Sequence, residues 1–335
     1  MDSTNRQIRL AARPQGMIDD SIWEVVDDPV RAPDDGEVLV RNVCLSLDPA
    51  MRGWLNDVRS YVPPVGIGEV MRAGGVGRVV ESRDQRFPEG AHVTGITGVQ
   101  EYATVAGDGL RSVDLDVAPA ERWLGALGMP GMTAYFGLLD VGEAREGDTV
   151  VISGAAGAVG STAGQIAKLK GCRVIGIAGG PEKCAWLTDE LGFDAAIDYK
   201  SADLRAELRE QAPDRVDVYF DNVGGQVLDT VLLRIARGAR VVICGAISQY
   251  NNEGEMRGPA NYMQLLVQRA RMEGFVVFDY ASRYEEAARE IAGWLADGSM
   301  VAQEHVVEGG VDAFPQTLVK LFTGENTGKL VLRLG

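Results

Sequence analysis

The spacing of apolar positions changes near Trp123. Before that point, short runs mix β-branched and polar residues between turn formers: Glu37-Val-Leu-Val-Arg-Asn-Val43, Gly77-Arg-Val-Val-Glu81, Gly90-Ala-His-Val-Thr-Gly95 and Glu101–Val105. Such residues suit a pleated, half-buried surface, so residues 1–124 are predicted to form a small, mainly β, barrel-like domain. From 125 to 298, apolar runs alternate with helical stretches. The predicted strands are Thr149–Ser153, Arg173–Ala178, Ala195–Tyr199, Val216–Asn222, Arg240–Gly245 and Gly274–Phe278, with helices such as Ala158–Lys170 and Pro181–Leu191 between them. Six strands alternating with helices predict an α/β domain with a doubly wound parallel sheet. Residues 299–335 return to β character at Lys329-Leu-Val-Leu-Arg333 and are expected to fold back onto the first domain.

One turn in this pattern carries chemistry. In Val150-Val-Ile-Ser-Gly-Ala-Ala-Gly-Ala-Val-Gly160 an apolar strand runs into glycines 154, 157 and 160, and a helix follows. Gly154 permits the tight turn, Gly157 lets backbone approach a pyrophosphate, and Gly160 allows helix to pack on strand. The helix N-terminus offers N–H groups and a favourable dipole to phosphate. Glycine triplets alone are a weak signal. Between a strand and a helix at the start of a βαβ unit, this one predicts a Rossmann dinucleotide site.

The next strand selects the cofactor. NAD sites usually place Asp or Glu at its end to hold the ribose 2′-hydroxyl. Here that place holds Ala178, Gly179 and Gly180, and Lys183 follows as a point charge suited to a 2′-phosphate. Glu182 weighs against this, although an acidic residue in a first helical turn also favours the helix itself. Lys183 read as an ordinary solvated helix residue is the bland alternative. NADPH is the expected cofactor.

Composition narrows the field. The formal net charge is −15, which disfavours nucleic acid and anionic membranes as partners. No apolar stretch approaches the roughly 20 residues of a membrane span, and Met1–Leu10 has no signal-peptide core. Cys44, Cys172, Cys184 and Cys244 show no paired spacing, so reduced thiols in the cytoplasm are expected. Catalytic zinc needs about three Cys, His or carboxylate ligands. His92 and His305 are the only histidines, and Cys44 has none beside it. No metal is expected.

Several runs, in order, resemble the zinc-free branch of the medium-chain dehydrogenase/reductases: Leu45-Ser-Leu-Asp-Pro-Ala-Met-Arg-Gly53, Gly154–Gly160 with Gln165-Ile-Ala-Lys-Leu-Lys-Gly-Cys172, Phe220-Asp-Asn-Val-Gly-Gly225, and Cys244-Gly-Ala-Ile-Ser-Gln-Tyr-Asn251. The chain is most similar to the group of prostaglandin, 2-alkenal and bacterial curcumin reductases, over essentially its whole length. The resemblance implies a GroES-like catalytic domain beside the Rossmann domain and a homodimer. It implies that Gly157, Ala158, Val159 and Gly160 hold the pyrophosphate, and that Lys183 and Tyr199 border the adenosine phosphate and ribose. Asn222 would contact the cofactor on its ribose side. Cys244, Gly245, Ala246, Ile247, Ser248 and Tyr250 would line the nicotinamide half. Phe275, Val276 and Val277 would support the carboxamide through their backbone. Asn326 would close the site from the C-terminal segment, and Thr133 would face the nicotinamide. The stretch Gly258-Pro-Ala-Asn-Tyr-Met263 departs from the mammalian pattern, which makes the substrate pocket the least transferable part.

The implied reaction is conjugate reduction of an α,β-unsaturated ketone or aldehyde, with hydride delivered to the β-carbon. The protein's task is to stabilise negative charge on the carbonyl oxygen, and a neutral phenol is a suitable donor. Tyr61 in Ser60-Tyr-Val-Pro-Pro64, Tyr250 and Tyr262 are the candidates, each otherwise an ordinary wall residue. Arg52 is a lesser candidate for an acidic substrate group, with a structural role the expected one. A quinone reductase of the same superfamily and a catalytically idle NADPH-binding protein are the alternative functions.

Overall fold

The computed structural model describes residues 4–252 and 258–335. The chain forms two compact units, one of Met1–Gly125 with Glu304–Gly335 and the other of Ala126–Gln303. In chain order, the first unit contributes β1 (Thr4–Leu10), β2 (Trp23–Pro29), β3 (Glu37–Ser46), β4 (Gly74–Ser82), β5 (His92–Ile96), β6 (Tyr102–Ala106) and β7 (Leu110–Ser112). The second contributes β8 (Thr149–Ser153), β9 (Arg173–Ala178), β10 (Ala195–Asp198), β11 (Val216–Asp221), β12 (Ile235–Ile243) and β13 (Arg271–Gly274). β14 (Glu304–Glu308) and β15 (Lys329–Arg333) belong to the first unit again.

In the first unit β1 and β2 form an antiparallel hairpin, and a larger sheet runs β14-β15-β3-β4-β5-β7, with β6 also paired to β3. β15 lies antiparallel to β3, with Val331 opposite Ser46. The core gathers Ile8, Leu10, Leu45, Leu47, Met51 and Phe314 around this sheet. Lys329 is buried at the start of β15 and donates from Nζ to the Leu47 carbonyl at 2.8 Å and to Asp48 at 2.6 Å. This pair fixes the Leu45–Gly53 run to the C-terminal strand; burial depresses the lysine's pKa, and Asp48 opposes the shift.

The second unit is a six-stranded parallel sheet of order β10-β9-β8-β11-β12-β13. All five residues of β8 are buried, as expected for a central parallel strand covered on both faces. The chain moves outward from β8 to β10 and then crosses back to β11. The switch between β8 and β11 is where ligands bind in sheets of this kind, outside the carboxyl ends of the strands.

Three predicted elements are corrected. The sixth strand is Arg271–Gly274 rather than Gly274–Phe278, because its pairing with β12 ends at Gly274 opposite Ile243. The Phe275 ring turns against Gly137, where an added Cβ would sit 2.5 Å from Phe275 Cζ, and Val277–Arg283 coil into a 3-10 helix. β12 begins at Ile235 rather than Arg240, because Ile235 pairs with Val216 across an irregularity in the register. The predicted helix Pro181–Leu191 is helical over Pro181–Ala185 and then widens into a π-type turn over Trp186–Glu190.

Candidate functional site: the carboxyl edge of the parallel sheet

The loop after β8 is shaped by its glycines. Gly154 has φ +59, and a Cβ on Gly160 would lie 2.4 Å from the Gly154 carbonyl oxygen and 2.8 Å from Ala155 Cα. No side chain fits at 160. The Gly157 N–H donates to the Gly154 carbonyl at 3.0 Å, closing the turn. The helix Ala158–Leu169 then starts with no side-chain cap. The first N–H groups of a helix have no intrahelical acceptor. The backbone at Ala158, Val159 and Gly160 therefore offers an anion both donors and the positive end of a helix dipole.

A buried carboxylate braces the switch point. Asp221 Oδ1 accepts from Ser153 Oγ at 2.8 Å, Tyr219 Oη at 2.7 Å, Val223 N–H at 3.0 Å and Gly224 N–H at 2.9 Å. Ser153 Oγ in turn accepts the Asn222 N–H at 3.0 Å, and Asn222 Nδ2 donates to the Ser153 carbonyl at 2.7 Å. The Asp221 carbonyl receives the N–H groups of Cys244 and Gly245, at 2.9 and 3.1 Å. One residue thus ties together the ends of β8, β11 and β12. Burial, with the Asp221 charge added, pushes the Tyr219 phenol well up and the Cys244 thiol up to about 12, so both stay protonated at neutral pH.

Beyond β9 the wall is open. Gly179 and Gly180 follow Ala178, and Gly180 has φ +98. The Asp198 carboxylate accepts from the N–H groups of Gly180 and Lys200, at 2.8 and 3.0 Å, and from Ser201 Oγ at 2.7 Å, bonds that hold its pKa below the usual range. It clamps the turn after β9 to the turn after β10. Tyr199, 50% exposed, lays its ring over Gly179: a Cβ there would meet Tyr199 Cε1 at 3.0 Å and Lys200 Cε at 2.9 Å. The half-buried Lys183 has its pKa lowered, first by burial and then by the charge of Lys200.

The turn after β12 carries Cys244–Tyr250. The Tyr250 oxygen accepts the Ala246 N–H at 3.2 Å. Ser248 Oγ donates to the Val223 carbonyl at 2.6 Å, and the Ile247 N–H to the Asn222 carbonyl at 3.2 Å, so this turn is fixed to the end of β11. After β13, the carbonyls of Val276 and Val277 accept from the Asp279 N–H and the Tyr284 hydroxyl. Thr133 is half-buried, with its hydroxyl donating to the Met129 carbonyl within its own helix. Tyr262, 58% exposed, precedes the helix Met263–Gln268.

In the first unit, Tyr61 is 56% exposed, and Asn326 Nδ2 donates to the Gly328 carbonyl at 3.1 Å. Arg52 is buried, donating to Asn56 and to the Gly16 carbonyl, a structural role. Cys44 is buried with its thiol 3.6 Å from Glu121, which also pairs with Arg333; burial first, and then Glu121, push the thiol up to about 12. Among the described residues no three His, Cys, Asp or Glu gather as a metal site would require.

The sequence reading passed over Ser153, Asp198, Lys200 and Asp221. Asp221 and Asp198 carried a usable signal: each is an acidic residue closing an apolar strand, where a buried carboxylate needs several donors. Ser153 and Lys200 carried none without the fold.

Comparison with known proteins places these features in a wider setting. Residues 6–113 match a family described as the N-terminal domain of oxidoreductase, and residues 158–293 match one described as zinc-binding dehydrogenase. The chain is 44% identical to NADPH-dependent curcumin reductase of Escherichia coli over 98% of its own length and 97% of that protein. It is 40% identical to the NADP-dependent 2-alkenal reductase of Nicotiana tabacum, over 98% and 97%. The crystal structure of CurA from Vibrio vulnificus in complex with NADPH superposes with a TM-score of 0.94 at 45% identity, covering 98% of this chain and 99% of that one.

Proposed function

The chain belongs to the medium-chain dehydrogenase/reductase family, and on that premise we propose that it is an NADPH-dependent reductase of the C=C bond of α,β-unsaturated ketones or aldehydes. The observation that carries the cofactor assignment is the wall after β9. The place where an acidic residue would hold a ribose hydroxyl is occupied by glycine, a tyrosine ring and lysine instead. The substrate class rests on the curcumin and alkenal reductases that the chain resembles over nearly its full length.

When bound, NADPH supplies the hydride that reaches the β-carbon of the substrate. The chain's own residues bind and polarise. Ala158, Val159 and Gly160 would receive the pyrophosphate on backbone N–H groups beside the turn closed by Gly157, and Lys183 and Tyr199 would take the 2′-phosphate side. Asn222, held by Ser153, would set the ribose, and the turn Cys244–Tyr250 would line the nicotinamide, with the Cys244 thiol protonated. Tyr250, a phenol on the turn after β12, would donate a hydrogen bond to the carbonyl oxygen as negative charge grows there. Tyr262, Thr133 and the backbone of Phe275–Val277 are further candidates within the same unit, and Tyr61 and Asn326 of the other unit are candidates by resemblance alone.

The protein works without zinc in this reading, since the Cys44 thiol among the described residues stands with Glu121 but in no cluster of three His, Cys, Asp or Glu. It acts as a homodimer through β13, an edge strand whose four residues are exposed beside the apolar surface of Met263, Leu266 (69% exposed) and Val267. The four unpaired cysteines suit the reducing cytoplasm. The test is NADPH oxidation against a panel of enals, enones, quinones and alcohols. Turnover of enals and enones is expected, and turnover confined to quinones would replace this reading with the quinone reductase alternative.

A further inference from the structure

We infer that Lys200 is a second cofactor-specificity residue, which together with Lys183 makes a two-ammonium site for the 2′-phosphate of NADPH. The inference rests on the NADPH reading above and names a residue that the glycine and lysine pattern did not reveal.

Three observations converge on Lys200. Its Cε lies 2.9 Å from the point where a Cβ on Gly179 would stand, so its ammonium hangs over the end of β9. An acidic side chain at 179 would collide with it and with the ring of Tyr199. The chain has replaced the usual acid by a cation in space rather than in sequence. Second, the carboxylate nearest in sequence feels the Lys200 charge without forming an ion pair with it. Asp198 is turned to the N–H groups of Gly180 and Lys200 and to the Ser201 hydroxyl, and the Lys200 ammonium forms no ion pair among the described residues. Third, Lys200 is close enough to Lys183 for its charge to disfavour the lysine's charged form.

Two ammonium groups beside an open glycine wall suit a doubly charged anion. A 2′-phosphate carries about −1.5 to −2 charge at neutral pH, so one ammonium leaves about half of it unpaired and two match it. NADH presents only a neutral hydroxyl there and gains none of this attraction, so the preference arises from the phosphate contacts alone. Asp198 serves as a positioning residue: it fixes the turn carrying Lys200 against the turn preceding Lys183.

The experiment measures dissociation constants of the full chain for NADPH, NADH, adenosine 2′,5′-bisphosphate and ADP in K200Q, K200R, K183Q and the unmodified protein. K200Q should weaken NADPH and the bisphosphate roughly ten- to hundredfold, the worth of one charge-assisted hydrogen bond. NADH and ADP affinities should stay within about twofold, which also reports an intact fold, and K200R should restore most of the preference. A K200Q protein that keeps its full NADPH-to-NADH ratio while K183Q loses it overturns the role of Lys200 and spares the NADPH reading. An unmodified protein that binds NADPH and NADH alike overturns both.

Discussion

The two halves of the candidate site are built from different materials. The phosphate half is backbone: Gly154, Gly157 and Gly160 shape it, and nothing larger than hydrogen fits at 160. The proposed polarising half is a side chain: Tyr250 on the turn after β12. A backbone cradle tolerates few sequences and leaves a compact signature. A phenol held over a substrate is served by many sequences, because any nearby loop can supply it. Cofactor use is therefore fixed more tightly than substrate choice, which fits a family whose relatives share NADP and differ in the molecule reduced.

That contrast can be broken at its rigid end first. Gly160→Val should abolish NADPH binding, because its Cβ meets backbone rather than a yielding side chain, and the overpacking should destabilise the unit by on the order of 3 kcal/mol. Cofactor titration and thermal melting read both effects. A variant that still binds NADPH normally would remove the backbone cradle from the account.

At the softer end, Tyr250→Phe should lower kcat about a hundredfold, the typical loss on removing one oxyanion donor, with the NADPH dissociation constant nearly unchanged. Ala246 keeps its N–H without the phenol oxygen as acceptor, so a modest fall in thermal stability is expected as well. Full turnover in this variant would pass the role to Tyr61 or Tyr262. The smallest effect should come from chelators: activity should survive them, and metal analysis should find no stoichiometric zinc. One zinc per chain, lost together with activity, would contradict the metal-free reading.

The same contrast explains what could be read without coordinates. β8, β9 and β15 were predicted to the residue, since each is an apolar run bounded by turn residues. β13 was displaced because Arg271-Met-Glu-Gly274 has little strand character of its own, while Phe275-Val-Val277 has much. Pairing with β12 overrode the local preference, and the Phe275 ring found Gly137 instead. In the site, the glycine loop was legible because its geometry demands particular residues. The bracing of Ser153 to Asp221 was not, because it joins positions 68 residues apart. Lys200 was hidden for the same reason: its place over Gly179 depends on β9 and β10 lying side by side.

The central claim is hydride delivery to the C=C bond of an enone with the carbonyl left intact. It is tested by turning over a simple enone with NADPH deuterated at the transferred hydrogen and locating the label by NMR and mass spectrometry. The account predicts a saturated ketone carrying deuterium at the β-carbon. An allylic alcohol with deuterium at the carbonyl carbon would contradict it.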